Sequence, residues 1–524
     1  MLRSARNLLR LLVIARTLAR HDALAPLQEV LPEGTPAAAM LVVGRLIAKP
    51  RPAAAALRPG ERLAAALGEL GPAFIKLGQM LSTRSDMLGE QMAADLSRLQ
   101  DRLPPFPAAE ARATIAAELG RPVGELFDSF DDRPVSAASI AQVHFATIAA
   151  EADAALAGNT EVAVKVLRPG IERAFARDLE LMLWLAELIE RAQPKLRRLR
   201  PVKVVQTFAA TVRIEMDLRL EAAAASELAA NFVGDPTYRV PAVDWRRTGQ
   251  RVLTQERLAG IRMDDRAALV AAGHDVDQVL ARAAAIFFKQ VFRDGYFHGD
   301  QHPGNMIVDA DSNIGAVDFG IMGRLDRKTR YYLADMLLAF LVRDYRRVAE
   351  LHIVLGYVPA NQSVDEFAQA CRAIGEPIFG RPLADISFAR VLGQLFRLAE
   401  TFDMEVQPQL LLLQKNMLMA EGVSRQLNPA LNIWTLAQPL IEQWMRDNRG
   451  PEARLAEALG GLTRGIERLP AFLADLEKAA AALARDGIGR DSEASRRPER
   501  GHQRYPLWPV WLAIAALALV VLLR

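Results

Sequence analysis

A mainly helical α+β fold in two lobes is what this sequence predicts, and three observations predict it. Hydrophobic residues make up 51% of the 524 positions but aromatics only 6%, an Ala-Leu-Arg vocabulary that favours helix. Short β-type runs cluster before residue 258, and a Gly-rich polar segment at 295–324 interrupts an otherwise helical second half. The length allows several core-bearing units. With 65 basic against 62 acidic residues the net charge is +3, which argues against nucleic acid as a partner. A single cysteine, Cys371, forms no internal disulfide and no Cys-rich zinc site. It reads as a packed bystander in a reducing compartment.

Residues 1–120 read as an N-terminal helical extension, broken at Leu103-Pro104-Pro105-Phe106-Pro107, which no helix interior holds. The first twenty residues interleave Arg3, Arg6, Arg10, Arg16 and Arg20 with Leu8, Leu9, Leu11, Leu12, Val13 and Ile14. Three readings stay open: a basic amphipathic helix on anionic lipid, a helix docked on the protein's own helices, and an Arg-rich mitochondrial presequence. Residues 121–258 form the first lobe, with β-type runs at 141–147, 161–167, 238–243 and 251–255 and helical stretches at 178–191 and 204–232. Residues 259–465 form a helical second lobe, and 466–505 a helical and then basic linker. From 506 to 523 no residue is charged, and Trp508 and Trp511 sit near one end. This run is about long enough for a hydrocarbon core of ~30 Å and is predicted to be a transmembrane helix. Arg496, Arg497, Arg500 and Arg504 precede it, so the positive-inside rule keeps the main body in the cytoplasm of a tail-anchored protein.

The chemistry is carried by His298-Gly299-Asp300-Gln301-His302-Pro303-Gly304-Asn305 and Asp318-Phe319-Gly320. Two carboxylates and an amide oxygen at this spacing suit ATP with its magnesium. Asp300 stands where a kinase catalytic loop accepts a hydroxyl proton, and Asn305 and Asp318 where it ligates metal. Upstream, Val162-Ala163-Val164-Lys165 alternates around a lysine as a strand does when it offers an ammonium to the α- and β-phosphates. Alone it would read as an edge-strand lysine; the downstream segments give it meaning. Such a lysine needs a carboxylate partner, and Glu215, Asp217 and Glu221 follow on one helical stretch. Glu221 is the candidate, with Asp217 on its face at i,i+4, although a solvated acidic face looks the same in sequence. Before the lysine strand, where a kinase carries its glycine loop, stand Val135, Ser136, Ala137, Ala138, Ser139, Ile140, Ala141, Gln142 and Val143, with no glycine. Such a loop is stiffer, and Ser136 and Ser139 offer extra donors to a nucleotide. Lys76 and Gln79 lie three apart on a helix face, with Gly78 between them to admit a close neighbour. Spacing alone makes these a helix surface. His298 and His302 do not suit a metal hydrolase, because Pro303 and Gly304 end any shared helix face.

Taken in order, Lys76-Leu77-Gly78-Gln79, the Ala-rich loop, Val162 to Lys165, Glu215-Met216-Asp217, the 298–305 segment and Asp318-Phe319-Gly320 resemble the UbiB family, atypical kinase-like proteins of ubiquinone biosynthesis. The resemblance implies an atypical protein-kinase-like fold in which the Lys76–Gln79 helix covers the active site, Lys76 meeting Glu215 and Asp217, to the exclusion of protein substrates. It implies ATP and Mg2+ as cofactors, with residues 135–143 and Lys165 on the nucleotide, Asp300 as proton acceptor, and Asn305 and Asp318 on metal. Partners would be membrane lipid, prenyl-quinone precursors and other ubiquinone-biosynthesis proteins, at the bacterial inner membrane or its mitochondrial counterpart. The chain departs from the family pattern at Gly299, where alanine is common, and at Ala224, where asparagine is usual. No Ala-Pro-Glu follows Asp318, in keeping with the family's lack of an ordinary activation segment, and one terminal span is found where some bacterial members carry two. The leading expectation is an ATPase or atypical kinase. A small-molecule or prenyl-lipid phosphotransferase and a non-catalytic nucleotide-binding scaffold are the alternatives.

Overall fold

The computed structural model describes residues 2–449 apart from 25–41, 83–89, 149–159, 193–199, 380–397 and a scatter of single or few positions. Met1–Arg449 packs as one unit; Gly450–Arg524, with the linker and the 506–523 span, lies outside the described residues. Among those described, no helix is long and apolar enough to cross a membrane.

Helix α1 (Leu2–Arg20) presents Leu11, Ile14, Ala15 and Leu18 to the interior, and all four are buried. Of the readings open for this segment, docking on the protein's own helices is the one observed, although Leu9 and Val13 stay exposed on its outer side. Helices α2 (Pro59–Leu70), α3 (Pro72–Ser82) and α4 (Glu90–Ser97) follow. The extended segment at 103–107 then leads into α5 (Ala108–Leu119), with Pro107 at its N-cap.

The first sheet contains β1 (Ser129–Phe130), β2 (Ser136–Ala137), β3 (Ala141–Thr147), β4 (Glu161–Leu167) and, later in the chain, β6 (Val252–Glu256), all antiparallel. In β4 the period of two decides everything: Val162, Val164 and Val166 are fully buried and pack with Ala111 and Ile115 of α5. Ala163 and Lys165 therefore point to the other face. Helices α6 (Ile171–Ala192), α7 (Pro201–Glu215) and α8 (Leu218–Asn231) cover this side. Their core joins Phe74 and Ile75 of α3 to Phe175, Phe208 and Leu228 and continues to Phe319. An ion pair from half-buried Arg10, Nε and Nη2, to buried Asp178 at 2.8 and 3.0 Å ties α1 to α6.

The single helical stretch expected over 204–232 is two helices. Asp217 adopts extended backbone (φ −117°, ψ 92°) and caps α8 by accepting from Arg219 N, the usual work of an Asp at an N-cap. The strand expected at 238–243 is shorter, β5 (Tyr238–Arg239), and lies in a different sheet, parallel to β10 (Ile314–Ala316). That second sheet runs β5-β10-β9-β7, with β7 at Ile261–Arg262 and β9 at Met306–Val308. A two-stranded ribbon pairs β8 (Tyr296–His298) with β11 (Met322–Arg324). The polar segment at 295–324 is therefore β-structured, set among α9 (Val276–Phe288), α10 (Arg327–Leu341) and a later Leu-rich helix, α11 (Pro408–Leu427).

A candidate phosphate-handling site between strand β4 and the catalytic ribbon

Lys165 Nζ donates to Glu221 Oε1 and Oε2 at 2.8 and 2.9 Å and lies 3.4 Å from Asp318 Oδ1. The lysine comes from β4, the glutamate from the first turn of α8 and the aspartate from beyond β10. Burial works against the lysine's charge, but Asp318 and Glu221 together hold its pKa well above the ordinary lysine range. Burial, reinforced by the charge of Asp318, raises Glu221 to about 6 against the pull of Lys165. Burial acts to raise Asp318 as well, yet Lys165, the Gly320 N–H, His298 and Lys76 hold it down at about 2. Asp318 is thus an anion at any ordinary pH, with its side chain 46% exposed.

Asn305 reaches this place through hairpin register. Residues 314, 315 and 316 pair with 308, 307 and 306, and the ladder closes with Val317 N donating to Asn305 O at 3.0 Å. One step further, Asp318 emerges beside Asn305, although thirteen positions separate them in sequence. Asn305 Nδ2 is turned to Asp300 O at 3.4 Å, which leaves its amide oxygen for a cation. One ionised carboxylate plus one amide oxygen fits magnesium, which takes few protein oxygens and completes its shell with phosphate and water.

Asp300 Oδ1 pairs with Lys415 Nζ of α11 at 2.8 Å. The neighbouring Asn416 is buried and grips the same loop, donating to His298 O at 2.6 Å and accepting from Gln301 N at 3.2 Å. Behind the loop, buried Gln290 accepts from His298 N at 2.9 Å and from Gln301 Nε2 at 3.3 Å. Burial lowers the pKa of His298, and its Nδ1 accepts from Asp300 N at 3.0 Å. His302 Nδ1 likewise accepts from Gly304 N. Both histidines hold backbone, and among the described residues no cluster of three or more His, Cys, Asp or Glu side chains could bind a metal ion. At Gly299 a Cβ would lie 2.8 Å from Ile321 Cγ2 and 3.1 Å from Ile321 O, so glycine lets the loop sit close against β11.

The three acids after residue 204 have separate tasks. Glu221 holds Lys165, and Glu215 at the end of α7 pairs with Lys76 of α3 at 3.0 Å. Asp217 is held by Arg219, whose Nε and Nη2 donate at 2.8 and 2.7 Å. The face expected to be shared by Asp217 and Glu221 does not exist, because the chain breaks between helices at Met216-Asp217. Gln79 is half-buried one turn along from Lys76. A Cβ at Gly78 would lie 2.5 Å from Leu99 Cδ1 and 2.8 Å from Leu67 Cδ1, so the close packing foreseen there is real.

The Ala-rich loop is a hairpin. Val135 N donates to Val143 O, Ser136 and Ala137 pair with Val143 and Gln142, and Ala138 N closes the turn on Ala141 O at 2.8 Å. None of residues 135–143 takes a positive φ. Arg168 clamps the turn, donating to Ala138 O at 3.0 and 3.1 Å. Ser136 is exposed, but Ser139 and Ile140 are buried, so the hairpin presents Ser136 to its surroundings and encloses Ser139. Gln142 is also turned inward: its amide exchanges hydrogen bonds with Phe106 N and O at 3.0 and 3.2 Å.

Lys415, Asn416 and Gln290 went unforeseen. A signal did exist, since Gln414-Lys415-Asn416 interrupts an apolar run from Leu410 to Met419.

A strand lysine held by a helix glutamate, with an Asp/Asn/Asp oxygen set on the following turns, is the arrangement of an atypical kinase-like protein. Residues 98–352 match the ABC1 atypical kinase-like domain and residues 371–432 the UbiB helical domain. The chain is 46% identical over 455 residues to the Probable protein kinase UbiB of Marinobacter nauticus, covering 86% of this chain and 81% of that relative. The corresponding protein of Xanthomonas axonopodis pv. citri is 43% identical over 480 residues, 90% and 85% of the two chains. The chain belongs to the UbiB family. A solved structure, the complex of Rv3197 with erythromycin from Mycobacterium tuberculosis, aligns with a TM-score of 0.50 and 26% identity over 72% of this chain and 93% of that one.

Proposed function

We propose that this protein is an ATP- and magnesium-dependent ATPase or atypical kinase that supports ubiquinone biosynthesis at the bacterial inner membrane, acting on prenyl-quinone precursors. The observation that carries the reading is convergence: Lys165, Glu221 and Asp318 meet within 3.4 Å, and the hairpin brings Asn305 beside them. In this reading Lys165, oriented by Glu221, holds the α- and β-phosphates. Asn305 and Asp318 hold magnesium, which when bound neutralises charge on the phosphate oxygens. Asp300 accepts the proton of the attacking hydroxyl or water. The pairing of Lys76 on α3 with Glu215 at 3.0 Å, and the core that α3 shares with Phe319, support a covered site for small or lipid acceptors rather than proteins. The uncharged 506–523 run and the preceding arginines support tail anchoring with the body in the cytoplasm.

The test is phosphate release by purified protein with magnesium and anionic lipid vesicles. Asp300→Asn is expected to lose about 100-fold or more in turnover, and cells carrying it to lose ubiquinone. Wild-type turnover in Asp300→Asn and Lys165→Ala would overturn the enzymatic reading, and unchanged quinone profiles the assigned process. Labelled ATP with a lipid extract adds the alternative outcome, since a labelled lipid would make the protein a lipid phosphotransferase.

A further inference from the structure

The helix that interrupts its apolar run with Lys415 and Asn416 belongs to the stretch matching the UbiB helical domain, outside the kinase-like region. Yet these two adjacent residues take hold of the catalytic loop on both sides of Asp300. Asn416 grips the backbone before it at His298 O and after it at Gln301 N, and Lys415 takes the carboxylate itself. Asn416 is buried while Lys415 and Asp300 are about one-third open, at 34% and 32%. The backbone grip is therefore structural in character, and the carboxylate contact stays partly open to solvent. Among the described residues the Lys415 ammonium is the side-chain partner of Asp300. Its Nζ lies 2.8 Å from Asp300 Oδ1.

We infer that Lys415 is a positioning residue for phosphate transfer: by tethering the Asp300 carboxylate it fixes the rotamer in which that group meets the incoming hydroxyl. This rests on the proposal that Asp300 accepts a proton. As the new bond to the γ-phosphorus forms and the bond to the β,γ-bridging oxygen breaks, the hydroxyl proton passes to the Asp300 carboxylate and ADP leaves. Without the tether the carboxylate samples orientations that do not meet the hydroxyl, and misplacement on the order of 1 Å costs about 100-fold in such steps. Nucleotide affinity, which depends on Lys165 and the metal oxygens, is left alone. The helical domain would thus act in turnover and not in nucleotide capture.

The experiment compares full-length wild type, Lys415→Met, Lys415→Arg, Asp300→Asn and the Lys415→Met/Asp300→Asn double variant on anionic vesicles. It measures kcat for phosphate release and the Kd of magnesium-nucleotide by calorimetry. Lys415→Met is expected to lose about 10- to 100-fold in kcat with Kd unchanged, and Lys415→Arg to recover most of the loss. The double variant should be no slower than Asp300→Asn alone, because groups acting as a unit are non-additive. Wild-type kcat in Lys415→Met, a loss that appears in Kd instead, or a multiplicative loss in the double variant would each overturn the inference while leaving the role of Asp300 intact. Wild-type kcat in Asp300→Asn would overturn both.

Discussion

The two halves of the candidate site are built by different means. Lys165 and Glu221 stand on regular elements whose orientation follows from periodicity: β4 buries its valines and so turns Lys165 outward, and the first turn of α8 buries Glu221 opposite it. The oxygen set of Asp300, Asn305 and Asp318 stands on short strands and turns, and is held by side chains from afar: Gln290 in the π-helical turn after α9, and Lys415 and Asn416 on α11. The first half is a buried charge pair that packing holds. The second is a polar loop that hydrogen bonds hold, so it can be disturbed without disturbing the core.

The largest effect should come from breaking the buried pair. Lys165→Met leaves Glu221 desolvated beside Asp318, and removal of one member of a buried pair costs about 3–5 kcal/mol. A fall in the denaturant midpoint of that order is expected, with loss of nucleotide binding. Lys165→Met/Glu221→Leu should regain most of the stability and none of the binding. If the single variant is as stable as wild type, the contrast between the halves is wrong.

Breaking the loop clamp should do less to stability and more to chemistry. Asn416→Ala removes two hydrogen bonds to buried or half-buried backbone, worth about 1–3 kcal/mol, and should slow phosphate release with little change in nucleotide Kd. A change in affinity larger than that in turnover would place Asn416 with the first half instead.

The smallest effect is one of pH. Glu221 has a folded pKa of about 6, above the usual glutamate value, so the folded state binds its proton more readily than the unfolded state. Its contribution to stability is therefore present at low pH and lost as pH rises from the unfolded value towards 6. Asp318, held at about 2, acts in the opposite sense: its contribution is present above the ordinary aspartate value and is lost only as pH falls from there towards 2, so the two windows of change do not overlap. Glu221→Gln should flatten the stability slope between about pH 4.5 and 6 by on the order of 1 kcal/mol. An unchanged slope would mean that the strain of two carboxylates around one ammonium is relieved elsewhere.

Legibility followed the same division. The strands 141–147 and 161–167 read correctly from alternation, and Glu221 was picked as the lysine's partner. The stretch 204–232 reads as one helix in sequence because Ala and Leu propensity runs straight through it, and only the cap made by Asp217 divides it. The strands of 295–324 are three residues each, too short for any period to register.

By itself the sequence determined the chemistry on offer: an ammonium on an alternating strand, three oxygen donors in order, and an uncharged terminal run, since these depend only on residue type and local spacing. Tertiary structure decided which groups meet. Glu215 goes to Lys76, Asp217 to Arg219, and Asp300 to a lysine 115 positions away. Such pairings follow from how helices and hairpins pack, and local propensity carries no information about a contact between segments so far apart.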